Sequence, residues 1–413
     1  MTNRDNDQSD VPETEDHNEV VFSEPPLDQT HHKLEYTGTW NKIMALAMWN
    51  ALWTILTLGI FRFWAKTRVR RYVWSHTRID GDGLEYTGRG LELFLGFVIV
   101  ALCAGPFIAL FVYARMQVPV GNVGINFAID LAIWIPLIFL MHIAMYRAQR
   151  YRLSRTSWRG IRGHLGGSSL KYAGNALVSL FFTGLTLGIC KPYYDIELMK
   201  YERNHTMLGD AKMAFGGMFT PAFKKWLVIW FILLLTYLVT FGLFVALVKV
   251  LLPLAIVIGL VGAGFGAYQF ARYQAWFFRY TTGETSLGNL AFSSELTPKK
   301  LFKIYAVLLI SLVVLFALIV MIFSMVIGAS IAASGNAGPN MPFVFAMTFL
   351  FLVLLGPVQQ IVLLPMFVQP LIAAKVSSIT MTGEIDRFTV QQVARSEPKT
   401  GEGLAEAFDL GGI

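Results

Sequence analysis

The chain reads as an α-helical polytopic membrane protein of six full spans plus two short embedded helices, up to eight spans in all. Short interfacial β-strands are expected on its cytoplasmic side. Three observations predict this. Of 413 residues, 55% are apolar and 15% charged, where soluble chains carry about 25% charged residues, and mean hydropathy is +0.53. Six apolar runs, 91–114, 123–146, 226–248, 250–271, 304–333 and 341–373, each reach the roughly 20 residues that cross a bilayer core. Two shorter runs, 43–61 and 175–190, resemble each other at a constant offset of 129 residues.

Residues 1–32 hold nine acidic residues and one basic, Arg4. Such a segment cannot bury enough apolar surface to order itself and is expected to be a disordered acidic tail. The rest of the chain then carries 33 basic and 18 acidic residues, a net of +15. The acidic start has neither the basic nor the apolar region of a signal peptide, so the first helix is expected to insert itself. Cys103 and Cys190 both fall in apolar stretches and imply no disulfide framework.

Residues 33–169 form a first membrane module of a short helix and a two-helix hairpin, and 170–289 a second. The match is residue for residue in places. Leu56-Thr57-Leu58-Gly59-Ile60 answers to Leu185-Thr186-Leu187-Gly188-Ile189, and Arg71-Tyr72 to Lys200-Tyr201. His76-Thr77 likewise answers to His205-Thr206, and further upstream Tyr36-Thr37-Gly38 is set against Tyr172-Ala173-Gly174. A final membrane hairpin, 290–390, and a flexible tail, 391–413, complete the order. Internal repeats of this kind are common in membrane folds.

Short segments with an aromatic residue among small or polar ones precede most membrane entries: Leu34–Gly38, Leu84–Gly88, Leu170–Gly174, Lys212–Gly216 and Leu290–Ser294, with Asp386–Val390 after the last span. They have the composition of strands closed by turns. Thr220-Pro221 and Thr297-Pro298 have the form of a helix N-cap followed by proline at the first helical position. If the strands pair they must share one side of the membrane. Placing every inter-module loop in the cytoplasm leaves only Arg115 and Lys249 of the 34 basic residues facing outward, which fits the positive-inside bias.

The pattern Thr57-Leu58-Gly59 followed by an aromatic-basic stretch with Arg71-Tyr72 and His76-Thr77, then Tyr-x-Gly, and the run Arg150-Tyr151-Arg152-Leu153-Ser154-Arg155-Thr156-Ser157-Trp158-Arg159-Gly160-Ile161-Arg162 resemble the YjgN family of bacterial inner-membrane proteins over roughly residues 34–390. The resemblance implies a bacterial inner-membrane location, with both termini cytoplasmic on the charge reading above. It implies no reaction, substrate or catalytic residue, because the family is a domain of unknown function.

Motifs for nucleophilic, nucleotide or metal chemistry do not stand out, and the chain is expected not to be an enzyme, with no catalytic residue, cofactor or metal. Gly262 and Gly266 form a Gly-x-x-x-Gly pair suited to close helix packing. His76 and His205 are expected to bond loop carbonyls rather than a metal. Asn50, Thr54 and Thr57 share a helical face, and Ser179, Thr183 and Thr186 repeat it. Such stripes read as glue between helices or as the lining of a wet path. Asp130, deep in a span, and Gln359 with Gln360, beside Gly356-Pro357, are further candidates for a pathway through broken helices. Pro106, Pro136 and Pro253 are expected to interrupt three other spans, and Pro357, Pro365 and Pro370 to break the last. The Arg150–Arg162 loop, with Arg150, Arg152, Arg155, Arg159 and Arg162, is expected to rest on anionic lipid headgroups, and nucleic acid is not an expected partner. The leading expectation is a protein that binds or transports a small solute or lipid. The alternative is a scaffold or regulator with a cytoplasmic interaction sheet.

Overall fold

The computed structural model describes residues 31–118, 121–334 and 341–383. The acidic segment 1–30, the strand expected at Asp386–Val390 with Phe388, and the tail 391–413 lie outside the described residues. His31 and His32, grouped with the tail on composition, instead begin strand β1 (His31–Tyr36).

The run 43–61 is not one straight helix. Helix α1 (Trp40–Leu56) reverses into α2 (Arg62–Ser75), and α5 (Ser169–Leu185) reverses into α6 (Lys191–Asn204) in the same way. Each residue of Thr-Leu-Gly has a task in the reversal. Leu58 and Leu187 adopt φ of 49° and 50°, and Gly59 and Gly188 follow at 92° and 87°. The glycine N–H reaches back to Thr54 or Thr183, 2.7 Å in both, and the leucine N–H to Ile55 or Gly184, which together make a Schellman motif. The threonine hydroxyl then accepts the N–H of the next helix, from Phe61 onto Thr57 and from Cys190 onto Thr186, satisfying a donor that the helix start would leave unpaired.

The strands do pair. After β1 come β2 (Thr77–Ile79), β3 (Asp82–Gly83), β4 (Glu85–Tyr86), β5 (Thr156–Trp158), β6 (Ile161–Leu165), β7 (Thr206–Leu208), β8 (Ala211–Phe215), β9 (Thr285–Leu287), β10 (Leu290–Ser294) and β11 (Ile379–Thr382). They form one sheet in the order β3-β2-β1-β11-β10-β9-β8-β7-β6-β5-β4, each pairing antiparallel. Only Leu84 separates the two edge strands, so the sheet bends into a near-closed ring. Trp158, Leu290 and Met381 meet inside it, with Leu34, Ile79, Leu84, Leu208 and Phe292 against them. Leu170–Gly174, expected as a strand, is the first turn of α5. The strand before that helix is β6, and at the offset of 129 the partner of Tyr36 is Leu165, not Tyr172. Tyr172 misled because its Tyr-x-Gly spacing copies that of Tyr36 and Tyr86. At those two strand ends the ring lies back over Gly38 or Gly88, where a Cβ would collide with it.

The long helices are α3 (Gly90–Met116), α4 (Val123–Ser154), α7 (Phe219–Leu247), α8 (Leu252–Gly283), α9 (Pro298–Ser334) and α10 (Met341–Leu363). After α10, a π-helical turn (Leu364–Val368) leads into α11 (Gln369–Val376). Pro106, Pro136 and Pro357 lie inside continuous helices rather than at breaks. Pro253 starts α8 instead of interrupting a span, since in the first turn its missing N–H has no intrahelical partner to lose. Pro365 falls in the π turn, and Pro370, expected to break the span, lies in the first turn of α11, which runs on from it. Thr297 does precede Pro298 at the start of α9, but α7 begins at Phe219, which puts Thr220-Pro221 inside its first turn. Among the described residues, five segments are long and apolar enough to cross a membrane: α4, α7, α8, most of α9, and Gly356–Val376.

Five helical pairs rise from the sheet, and one backbone bond closes the base of each. Thr37 donates to His76, Thr87 to Arg155, Gly166 to His205, Gly216 to Glu284 and Glu295 to Ser378, all at 2.9 Å. The short pairs α1–α2 and α5–α6 therefore hold the same place in the ring as the long ones. Neighbouring helices pack in sequence from α4 through to α10, α10 packs on α1, and α2 packs on α3. The buried clusters sit near the sheet, around Ile43 and Val69, Tyr146 and Tyr172, Phe215 and Tyr273, and Leu296 and Leu301. Away from the sheet the long helices are bare: 6% of the most apolar stretch of α4 is buried.

Candidate functional site

The two polar stripes run along α1 and α5 toward the reversals, and in the first pair Asn50 meets the second arm. Asn50, Thr54 and Ser179 are buried, while Thr57, Thr183 and Thr186 are half-buried. Thr54, Thr57, Ser179, Thr183 and Thr186 each donate to the carbonyl four residues back, at 2.7–2.8 Å. The Nδ2 of Asn50 donates across to the Ala65 carbonyl of α2. These hydroxyls are satisfied inside their own helices, and the stripes are small because the arms come close there.

The other candidates stand elsewhere. Asp130 is partly exposed near the start of α4 and faces Arg115 at the end of α3, 3.7 Å away, while Arg115 also donates to Asn126. Gln359 and Gln360 are half-buried on α10, the helix that packs on α1. Asp130 thus belongs to the far turn of the α3–α4 pair, and the two stripes belong to opposite short pairs. The structure does not gather them around one cavity. His76 and His205 each place Nδ1 2.7 Å from the carbonyl four residues back, on Tyr72 and Tyr201. These are helical carbonyls rather than loop ones.

Arg150–Arg162 is not a loop but the end of α4 followed by the β5–β6 hairpin, turning at Arg159-Gly160 with φ of 50° and 79°. Its guanidiniums meet protein acceptors. Arg150 donates to the Gly166 and Gly167 carbonyls, Arg155 pairs with Glu92 at 3.2 Å, and Arg159 pairs with Asp82 at 2.7 Å. Arg152 lies near enough to Glu202 to favour its charge, and Arg162 stands exposed on β6.

The polar cluster that residue patterns missed sits at the base of α5–α6. The rings of Tyr146, Tyr172 and Tyr201 lie 4.8–5.9 Å apart. Tyr172 donates to the Glu202 carboxylate at 2.9 Å, and Tyr146 to the Gly166 carbonyl at 2.7 Å. Burial pushes the Glu202 carboxyl up, against the hydrogen bond from Tyr172 and the charges of Arg152 and Arg203. Burial likewise lowers Arg203 to about 10, with Glu202 opposing, and Arg203 bonds the Thr281 carbonyl and Thr285. Nearby, His142 stands 2.9 Å from the Tyr194 hydroxyl, and Lys191 pairs with Asp195. The signal was present at the offset of 129. Ile43 and Val73, packed together in the first short pair, are replaced by Tyr172 and Glu202 in the second. Each polar partner here has an answering group, so the cluster is a lock between helices. Among the described residues, no three His, Cys, Asp or Glu side chains gather as a metal site.

An apolar groove of about 470 Å³ runs between α7 and α8, lined by Leu235, Val239, Thr240, Val257, Val261 and Phe265 among others. Gly262 is part of the lining and lets the helices approach there, since a Cβ would collide with Thr240, whereas Gly266 has only Leu233 nearby.

The family described as bacterial proteins of unknown function, DUF898, matches residues 31–257. The inner membrane protein YjgN of Salmonella typhimurium strain LT2 is 26% identical over 149 residues, 36% of this chain and 34% of that protein. YjgN of Escherichia coli O157:H7 is 25% identical over 136 residues, 33% of this chain and 31% of that protein. The chain thus spans about a third of the length of the curated relatives it matches. No solved structure matches it.

Proposed function

The chain belongs to the DUF898 family, and we propose that it is an inner-membrane protein that engages lipid along its flanks rather than conducting a polar solute along its axis. In this reading α3, α4, α7, α8, α9 and α10 cross the bilayer, and the short pairs, copies of one ancestral unit, dip into one leaflet. The strand ring and the base of every pair stand in the cytoplasm, where most of the basic residues would also lie.

The observation that carries the reading is the placing of the short pairs. Helices α7 to α10 pack one upon the next, while α3 packs on α2 and α4 on α5. The α3–α4 pair is thus joined to the other long helices chiefly through arms that stop early. Trp226 and Trp230 of α7 donate to the carbonyls of Gly188 and Leu187, which puts that tip just past Lys224 and Lys225, at the depth of an interfacial tryptophan belt. Beyond the tips, Phe127, Leu131, Ile135, Leu137 and Leu140 of α4 are exposed on all sides. Only acyl chains suit such a surface within a membrane. The tips agree: Leu58 and Leu187 are 76% and 80% exposed in a backbone conformation costing a leucine about 1–2 kcal/mol, a cost that insertion into lipid offsets.

The scaffold reading also has support, because the hydroxyls of both stripes are satisfied by carbonyls of their own helices. Two measurements separate the readings: native mass spectrometry of phospholipid retained by the detergent-purified protein, and transbilayer exchange of a fluorescent phospholipid in reconstituted vesicles. Retained phospholipid is the expected result, and faster exchange would extend binding to transport. A protein that keeps no phospholipid, in vesicles whose exchange matches protein-free controls, would leave only the scaffold.

A further inference from the structure

The two short pairs share a backbone, but the second arm of one is basic and that of the other is balanced in charge. Helix α2 holds Arg62, Lys66, Arg68, Arg70 and Arg71 and no acidic residue, whereas α6 holds Lys191, Lys200 and Arg203 against Asp195, Glu197 and Glu202. At the offset of 129, Lys66 becomes Asp195 and Arg68 becomes Glu197. A topology signal alone would not require five cations on one arm and none in excess on the other.

Two of the five serve the fold. Arg70 is fully buried against the Tyr86 hydroxyl, and Arg71 donates to the Gly88 carbonyl. Arg62 and Arg68 are exposed, and among the described residues neither is paired with a carboxylate. Their stems are held instead by aromatic rings. The Arg62 guanidinium lies 4.8 Å from the Phe63 ring and 5.0 Å from Phe97, and that of Arg68 lies 5.0 Å from Phe61. Such stacking leaves the guanidinium N–H groups free at the ring edge to meet phosphate oxygens. Around them runs an aromatic series, Trp49 to Trp53 to Phe61 to Trp64 to Phe94, whose first two members are exposed. Phe97, beside Arg62, stands seven residues into α3, about 10 Å along that helix, a height that suits contact with a lipid phosphate in the lipid-engaging reading.

We infer that Arg62 and Arg68 form a site for the headgroup of an anionic phospholipid, with Trp49 and Trp53 beside its upper acyl chains. The second short pair, whose α6 arm is neutral and whose tip is pinned by Trp226 and Trp230, lacks such a site. The inference rests on the lipid-engaging reading and adds headgroup charge and place to it.

The test compares lipid retained by the full chain, purified from nanodiscs of equal phosphatidylglycerol and phosphatidylcholine, for wild type, R62Q/R68Q, R62K/R68K and the second-pair control K200Q. Wild type and K200Q should enrich phosphatidylglycerol. R62Q/R68Q should keep its total lipid while enrichment falls on the order of thirtyfold, from the attraction each cation has for an anionic surface. R62K/R68K should retain most of the enrichment, because charge is kept and only the planar fork is lost. Lipid retained without headgroup preference in wild type would overturn the inference and leave the lipid reading standing, whereas no retained lipid would overturn both. Enrichment abolished by millimolar inorganic phosphate would overturn it in favour of a soluble phosphate ligand.

Discussion

Changing Tyr172 to phenylalanine removes one oxygen from the base of α5 and leaves the Glu202 carboxylate without a bond of 2.9 Å. The ring, tilted against those of Tyr146 and Tyr201, keeps its place, so packing loss is small. At a pH where the carboxyl is ionised, a hydrogen bond to it contributes about 1.5–3 kcal/mol. Arg152 and Arg203 still stabilise the charge, which puts the expected cost near the lower end, about 1.5–2 kcal/mol, or ten- to thirtyfold in the unfolding equilibrium. The cycle with Glu202→Val, the residue found at this place in the first pair, is more telling. Glu202→Val leaves the Tyr172 hydroxyl unpaired, and a double variant removes both ends together. The double should therefore cost about 1.5 kcal/mol less than the two singles added. Equilibrium unfolding in mixed micelles reads all four corners. Additivity to within about 0.5 kcal/mol, or a Tyr172→Phe cost below that, would show that the bond does not lock α5 to α6.

The same carboxyl should show in pH dependence. Its folded pKa is raised above the ordinary 4.5 by burial, so its contribution is fully present below that value and lost as pH climbs through the folded one. The wild-type stability minus that of Glu202→Gln should accordingly fall as pH rises from 4.5, and a flat difference would refute the burial argument. Gly262→Leu should force α7 from α8 through the Thr240 collision, costing roughly 1–3 kcal/mol in unfolding free energy, while Gly264→Ala, facing open space, should be near neutral. Leu187→Gly should stabilise the turn by about 1 kcal/mol in detergent, because glycine takes the left-handed conformation freely. No gain would mean that the leucine side chain makes a compensating contact. Leucine at Thr54 should destabilise by more than leucine at exposed Ala45, as read by thermal aggregation. Ala51 is no mild control, since it is 2% exposed.

Much of the architecture could be read directly. Long apolar runs mark the long helices because the bilayer imposes their length. The reversals at Leu-Thr-Leu-Gly are not legible, because apolar residues continue through them and hide the turn that the glycine makes. The Tyr-x-Gly segments mark strand ends because an aromatic ring must have room over the glycine. Leu170–Gly174 defeated that rule, since spacing alone does not tell a strand end from a helix start. The equality of long and short pairs was hidden too, because it lies in backbone bonds that carry no side-chain signature. The candidate site fared less well. Arg150, Arg155 and Arg159 looked free to meet lipid because their acceptors, Gly166, Glu92 and Asp82, are distant or unremarkable in the chain. The Tyr172–Glu202 lock could be found only by asking which contacting pairs change together between the two arms.

The near-closed strand ring also governs the order in which the molecule can be finished during synthesis. Strand β1 lies against β2 on one side, but its other neighbour is β11, with His31 opposite Thr382. Some 340 residues therefore leave the ribosome before that edge is covered, and until then β1 offers unpaired backbone groups to any passing strand. The last pairing joins regions far apart in the chain, which makes it slow and exposed to misassembly. The helical pairs can each settle on emergence, but the clasp waits for the end. A nascent chain halted before residue 379 would be inserted, largely helical and still open along one edge.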